Sequence, residues 1–208
     1  MITYQVNMDD LREIEQYLQM TRDKSKIILR SAINDTANDT KKLLLDETVK
    51  RYTMKRSKLK DTIGISKATT SRLSAVIAVV SPTNELYDFS VSPKKYVHPL
   101  DFANKPKVYK GKVLKTAKLS KLVLRPSAVG DKYKAFIVKY KSGHVTIGQR
   151  VPGKKMKSNS SKEFVKTLLS PSVPTMMGNE KGVYGVVQPQ IYDVLTKHIA
   201  SRIEKHLG

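Results

Sequence analysis

Cysteine is absent from this 208-residue chain, and so is tryptophan. Without a thiol there can be no disulfide, no thiolate metal site and no cysteine nucleophile. Aromatic residues are sparse at 7%, and the hydrophobic fraction is 39%. That is lean for an enzyme domain yet too apolar for a disordered chain. Long hydrophobic runs are missing too. The longest nearly apolar stretch, Ala75–Val80, has six residues, whereas a membrane helix needs about 20. Met1–Val6 is not followed by an apolar run, so neither a signal peptide nor a membrane partner is expected. The lack of cysteine is compatible with a cytosolic chain.

Acid is scarce in the middle of the sequence. Residues 94–157 hold eighteen Lys and Arg but only two carboxylates, Asp101 and Asp131. Residues 1–53 balance nine bases against nine acids. Residues 54–93 have six against three, and residues 158–208 six against four. The formal charge of +21 therefore arises mainly in one segment. Such a block is a footprint for a polyanion, a dock for an acidic protein surface, or a solvated face. Lys94, Lys95, Lys105, Lys107, Lys110 and Lys112 crowd the stretch Ser92–Lys112. Lys115, Lys118 and Lys121 follow, and Arg150, Lys154, Lys155 and Lys157 close the block. Only Arg125 and Arg150 are arginines. Lysine is a point charge suited to phosphate, whereas base reading favours the arginine fork. Contact with DNA by this block would be independent of sequence and sensitive to salt.

Catalytic patterns are missing. The histidines His98, His144, His198 and His206 form no HExxH pair. His144 sits in a hairpin turn and His198 on a helix, where turn and packing roles suffice. There is no GxGxxG, no phosphate-binding GxxxxGK[ST] and no GxSxG elbow. Two carboxylates in the basic block are too few for a metal-dependent nuclease. Asp9, Asp10, Glu13 and Glu15, interleaved with Arg12, read as a solvated first helical turn. No catalytic residue, metal site or cofactor is expected.

The element pattern is α+β. Asn7, Asp9 or Asp10 can cap a helix. Leu11, Ile14 and Leu18 recur at helical spacing, then Ile28 and Ala32 beside Leu29, Ile33, Ala37 and Leu44. From Asp9 to about Arg51 no Pro or Gly intervenes, which allows about 60 Å of helix. The polar stretch Thr21–Ser25 is its weak point. Tyr52–Lys60 reads as a turn and a short basic helix. Strands are expected around Ile63–Ile65, Leu73–Val80, Leu86–Val91, Val113–Leu124, Ala135–Tyr140, Val145–Gly148 and Phe164–Leu169. Ser92–Lys112, punctuated by Pro93, Pro99, Pro106 and Gly111, reads as a loop or arm. Val151–Ser161 reads as a Gly/Lys/Ser loop. Pro189 fits a first helical position, ahead of an apolar stripe through Ile191, Val194, Leu195, Ile199 and Ile203. The expectation is a long N-terminal helix, an antiparallel sheet or partial barrel of five to seven strands, and a C-terminal helix. It divides into a helical region 1–53, a basic β-rich body 54–188 with an arm near 92–112, and a helix 189–208, as one domain.

Three stretches carry a resemblance. Leu168-Leu169-Ser170-Pro171-Ser172-Val173-Pro174-Thr175-Met176-Met177 is similar to the Leu-x-Gly-Pro-Ser-Val-Pro-x-Met pattern of the phage minor tail protein Z family, with Ser170 in place of the usual Gly. Tyr133–His144 resembles that family's aliphatic strand followed by Ser-Gly-His, with Gln149-Arg150 after it. Arg51-Tyr52 and then Lys58-Leu59 resemble its passage from helix to sheet. The likeness runs in order from the long helix to the closing helix. It implies a non-enzymatic tail-completion protein in the virion, assembled in the host cytoplasm. It would sit at the neck, as a ring of six copies between the tail tube or tail terminator and the connector. Pro171, Ser172, Val173, Pro174, Met176 and Met177 become candidate assembly contacts, with prolines to stiffen them and methionines to adapt. The basic block would face phage DNA or acidic neighbours. A stand-alone, sequence-independent nucleic-acid-binding protein is the second reading.

Overall fold

In the computed structural model, residues 2–5, 22–92, 94, 96, 110–116, 120–121 and 135–207 are described. The expected cap at Asn7–Asp10, the stripe Leu11–Leu18, His98 and most of the 92–112 arm lie outside them. The class is α+β, with a long helix near the N-terminus, antiparallel strands and a C-terminal helix. Two compact units form: residues 1–48, 56–81 and 173–208, and residues 49–55 with 82–172. Each gathers distant stretches of chain, where the sequence reading divides the chain in series at 53 and 188.

The first unit is built on α1 (Arg22–Arg51), whose last residues belong to the second unit. The apolar periodicity explains the helix. Ile28, Leu29, Ala32, Ile33, Ala37, Leu44 and Leu45 are all buried, at spacings of three and four that form one stripe. Ser25, Thr36, Thr40 and Thr48 are buried on it as well. Thr36 and Thr48 donate their hydroxyls to the carbonyls of Ala32 and Leu44, at 2.8 and 2.6 Å. This back-bonding lets a hydroxyl sit in a core without a distant partner. Arg22–Ser25, four of the five residues of the supposed weak point, is helical.

A short helix α2 (Arg56–Leu59) and a 3₁₀ turn lead into β2 (Ile63–Ser66), and then β3 (Ser74–Val79). Both pair antiparallel, Ile63 opposite Val79. β1 (Ile2–Gln5), which the sequence reading lacks, covers the other edge of β3, so the order is β1-β3-β2. Four residues are too few for periodicity to declare a strand; the partner strand declares it. The loop between β2 and β3 is held by Asn34 of α1. The Asn34 amide donates to the Ala68 carbonyl at 3.2 Å and its Oδ1 accepts the Ala68 N–H at 2.7 Å.

The second unit contains β4 (Asn84–Glu85), β5 (Ser90–Ser92), β6 (Lys110–Lys112), β7 (Ser120–Lys121), β8 (Phe136–Lys139), β9 (Val145–Met156), β10 (Asn159–Thr167) and β11 (Leu169–Ser170). They form three separate antiparallel sheets, β10-β9-β8, β11-β4 and β5-β6-β7. Among the described residues none closes on itself, so the partial barrel does not form. Leu86–Asp88, expected within a strand, is a 3₁₀ turn. There the Phe89 N–H donates back to the Leu86 carbonyl at 3.1 Å, which tucks Leu86 and Phe89 into the interior. Leu86, Val91, Ala135, Ile137, Ile147 and Leu168 make one apolar cluster, with Tyr87, Tyr96, Val113 and Val145 against it. Thr53 stitches it at the side. Its N–H donates to the Val113 carbonyl, its hydroxyl donates to the Lys112 carbonyl at 2.7 Å, and the same oxygen accepts the Ser90 N–H at 3.0 Å.

The chain returns to the first unit through α3 (Val173–Met177) and α4 (Val183–Leu207). Pro189 lies inside α4 rather than at its first position. Asn179 starts this helix, its side chain accepting the Lys181 N–H and its carbonyl the Gly182 and Tyr184 N–H groups. Pro189 stands near enough to this start that the donor it lacks interrupts only the second turn.

Candidate functional site

The described residues of the basic block stand on several elements. Lys110 and Lys112 stand on β6 and Lys115 follows in an exposed bend. Lys112 donates to the Lys115 carbonyl at 3.3 Å. Lys94 is used locally, donating to the Phe89 carbonyl at 3.3 Å with its ammonium 4.8 Å from the Tyr87 ring centre. Lys121 lies on β7, opposite Lys110. Lys95, Lys105, Lys107 and Lys118 lie outside the described residues. Arg150, Lys154, Lys155 and Lys157, at the end of the block, share one limb with Lys162 and Lys166.

That limb is the β9–β10 ribbon. The span 151–161, expected as a loop, is mostly strand. At its root β8 and β9 pair closely, Ile137 opposite Ile147 and Phe136 opposite Gly148. The hairpin that joins them turns at Gly143, which takes a left-handed φ of 84°. Here Tyr140 and His144 stack with ring centres 6.0 Å apart, and His144 Nε2 lies 3.0 Å from Glu85 Oε1. Thr146, Ile147 and Gly148 are buried. Farther out the ribbon leaves the core. Pro152–Lys155 and Asn159–Lys162 are exposed at every position. Since neighbouring side chains on a strand point to opposite faces, both faces of the outer ribbon meet solvent.

The ladder is irregular, which hid it in the sequence. Arg150 faces Val165 and Lys155 faces Glu163, so β9 takes five steps where β10 takes two. From there to Met156 opposite Asn159, β10 takes four steps to one. Pro152 and Gly153 fall in the first bulge, with Gly153 at φ 72°. A proline without a donor and a glycine in the left-handed region are tolerated there and not in a regular ladder. The tip is the pair Lys157-Ser158. Asn159 Oδ1 braces it, accepting the Ser161 N–H at 3.0 Å and the Ser161 hydroxyl at 2.5 Å.

The charges are held outward. Lys154 lies 4.6 Å over the Phe164 ring and Arg150 4.9 Å over the Phe136 ring. Such stacking covers an aromatic face while leaving the cation at the surface. Along residues 136–167 there are eight Lys and Arg and one carboxylate, Glu163. Lys162 and Lys166 were missed because they lie beyond the block's end at 157. Only the fold-back of β10 brings them onto the limb.

The candidate assembly segment is placed differently from expectation. Val173, Met176 and Met177 are 1%, 0% and 1% exposed. They belong to the interior of this chain and serve its fold. Pro171 and Thr175 are exposed, Ser172 and Pro174 half-buried. The Val173 N–H donates to the Ser81 hydroxyl at 3.2 Å, and the Pro171 carbonyl accepts the Asn84 side chain at 2.6 Å. The buried methionines follow from helical spacing: α3 is a single turn and must bury one side.

A further set of polar contacts joins α4 to α1. Arg202 donates through Nε and Nη2 to Asp35 Oδ2, at 3.0 and 2.6 Å. His198 Nε2 lies 2.9 Å from Asp39 Oδ2, and Lys42 reaches Asp39 Oδ1 at 2.8 Å. The Lys42 hydrogen bond, and then that of His198, hold the Asp39 carboxyl below the usual carboxylate range against the opposing effect of burial. Among the described residues no three His, Asp or Glu gather as a metal-ligand group, and no helix is long and apolar enough to cross a membrane. No protein-family model matches the chain, and no curated protein or solved structure matches it significantly.

Proposed function

We propose that this chain is a structural, non-enzymatic component of a tailed phage or prophage particle. It acts as a tail-completion protein at the neck, joining the tail tube to the connector as a ring of copies, and is assembled in the host cytoplasm. The observation that carries the reading is the ordered set of stretches that resemble the minor tail protein Z family, above all Leu168–Met177. The physical character of the chain agrees with such work. A limb that leaves its own core is suited to reaching a neighbour, and bulges along it re-aim side chains and blunt its edges.

The test is genetic and compositional. Mass spectrometry of purified particles should find the chain, and a strain without its gene should accumulate heads and tails that do not join. Intact, infectious particles made without it would overturn the reading. The second reading, a free-standing nucleic-acid-binding protein, is favoured by the charge of the ribbon. It predicts DNA binding by the chain in cells and its absence from particles.

A further inference from the structure

The outer ribbon has a chemistry of its own. From Pro152 to Lys162 it presents Lys154, Lys155, Lys157 and Lys162 and no carboxylate. Between them stand Ser158, Asn159, Ser160 and Ser161, all exposed. Asn159 uses its Oδ1 to brace the tip, so its NH₂ remains as a pair of donors. Phe164, the aromatic of this limb, lies beneath the Lys154 ammonium. Met156 is half-buried.

We propose that this ribbon is an arm that grips the phosphate backbone of duplex DNA without reading its sequence. It rests on the particle reading only for where the duplex would be met. Two partners compete for such an arm, and the observations favour one. An acidic protein surface is held through an apolar core with aromatic or arginine anchors. The outer ribbon offers no such core: Pro152 is exposed and Met156 half-buried, and the other exposed side chains end in ammonium, hydroxyl or amide groups. Phosphate oxygens are held by this set, through point charges and neutral donors. The shape fits as well. A two-stranded ribbon enters the major groove, which is about 12 Å wide. Base reading is not provided for, since Arg150 is stacked over Phe136 near the root and the tip carries no arginine.

The test compares three full-length proteins by fluorescence anisotropy, using two unrelated 25-base-pair duplexes over a range of salt. The first is the native chain. The second carries Lys154→Gln, Lys155→Gln, Lys157→Gln and Lys162→Gln. The third is matched in charge but altered elsewhere, at Lys24→Gln, Lys60→Gln, Lys181→Gln and Lys205→Gln. All eight positions are exposed, so melting temperatures serve to verify folding. The native chain is expected to bind both duplexes equally. Its log affinity falls linearly with log salt, and the ribbon variant lowers that slope by about 3 to 4, near 0.9 per lost phosphate contact. The matched variant lowers it much less. Equal slopes for the two variants, no binding by the native chain in low salt, or equally tight binding of polyglutamate would each overturn the proposal. If the arm fails this test while particles still require the chain, the particle reading stands; if particles lack the chain, DNA binding by the arm stands alone.

Discussion

Gly148 is a glycine because Val165 occupies the space its side chain would fill. A Cβ on Gly148 would lie 2.5 Å from the Val165 Cγ1 and 3.1 Å from the Val138 Cγ2. The central strand of the sheet is thus pinched between its two neighbours at the root of the ribbon. Valine is stiff about χ1 and yields little. Gly148→Ala should therefore destabilise the second unit by about 1–3 kcal/mol. Adding Val165→Ala should recover part of the loss. Denaturant melts of the single and double variants measure the coupling, and additivity would show that the two residues do not press on each other.

Asn34 clasps the backbone of Ala68 as a neighbouring strand would, with one donor and one acceptor. Asn34→Ala leaves both backbone groups without that partner and should cost about 1–3 kcal/mol. Asn34→Asp keeps the acceptor and loses the donor, so its melting temperature should fall between those of the native chain and the alanine variant. Equal stability of all three proteins would show that water replaces the clasp.

The segment Leu168–Met177 separates fold from assembly. Met176 is wholly buried, so Met176→Ala should lower stability by about 2–5 kcal/mol. Thr175 is exposed, and Thr175→Ala should cost far less, no more than about 1 kcal/mol. Assembly loss in the first variant would then follow from the fold. Assembly loss in the second, with normal melting, would locate a true contact on the outer side of the segment.

Asp39 should make the first unit sensitive to acid. Its folded carboxyl is depressed by Lys42 and then by His198. A depressed carboxyl stabilises the folded state above the ordinary carboxylate pKa, about 4. That contribution is lost as pH falls through the lowered folded value. Thermal melts from pH 7 down to pH 2 should show a smaller acid loss in Asp39→Asn than in the native chain. Parallel curves would show that Asp39 contributes nothing to the acid response. The group is partly exposed, so the effect should also weaken as salt rises.

The amino-acid sequence by itself determined the long helix, the charge and the α+β class. Ile28 through Leu45 recur at three and four residues, a local rule that needs no partner to be read. The lysine surplus is a matter of counting. The tertiary structure decided the rest, because the deciding contacts are remote in sequence. β1 is a strand only because β3 lies beside it, and β9 runs through Pro152 and Gly153 only because it bulges there against β10. Lys162 joins Lys154 on one limb only after the chain folds back. Met176 and Met177, which resemble a sticky surface as a string of residues, are hidden because α3 must bury one side. Periodicity reports which side chains share a face; only packing decides which face the water keeps.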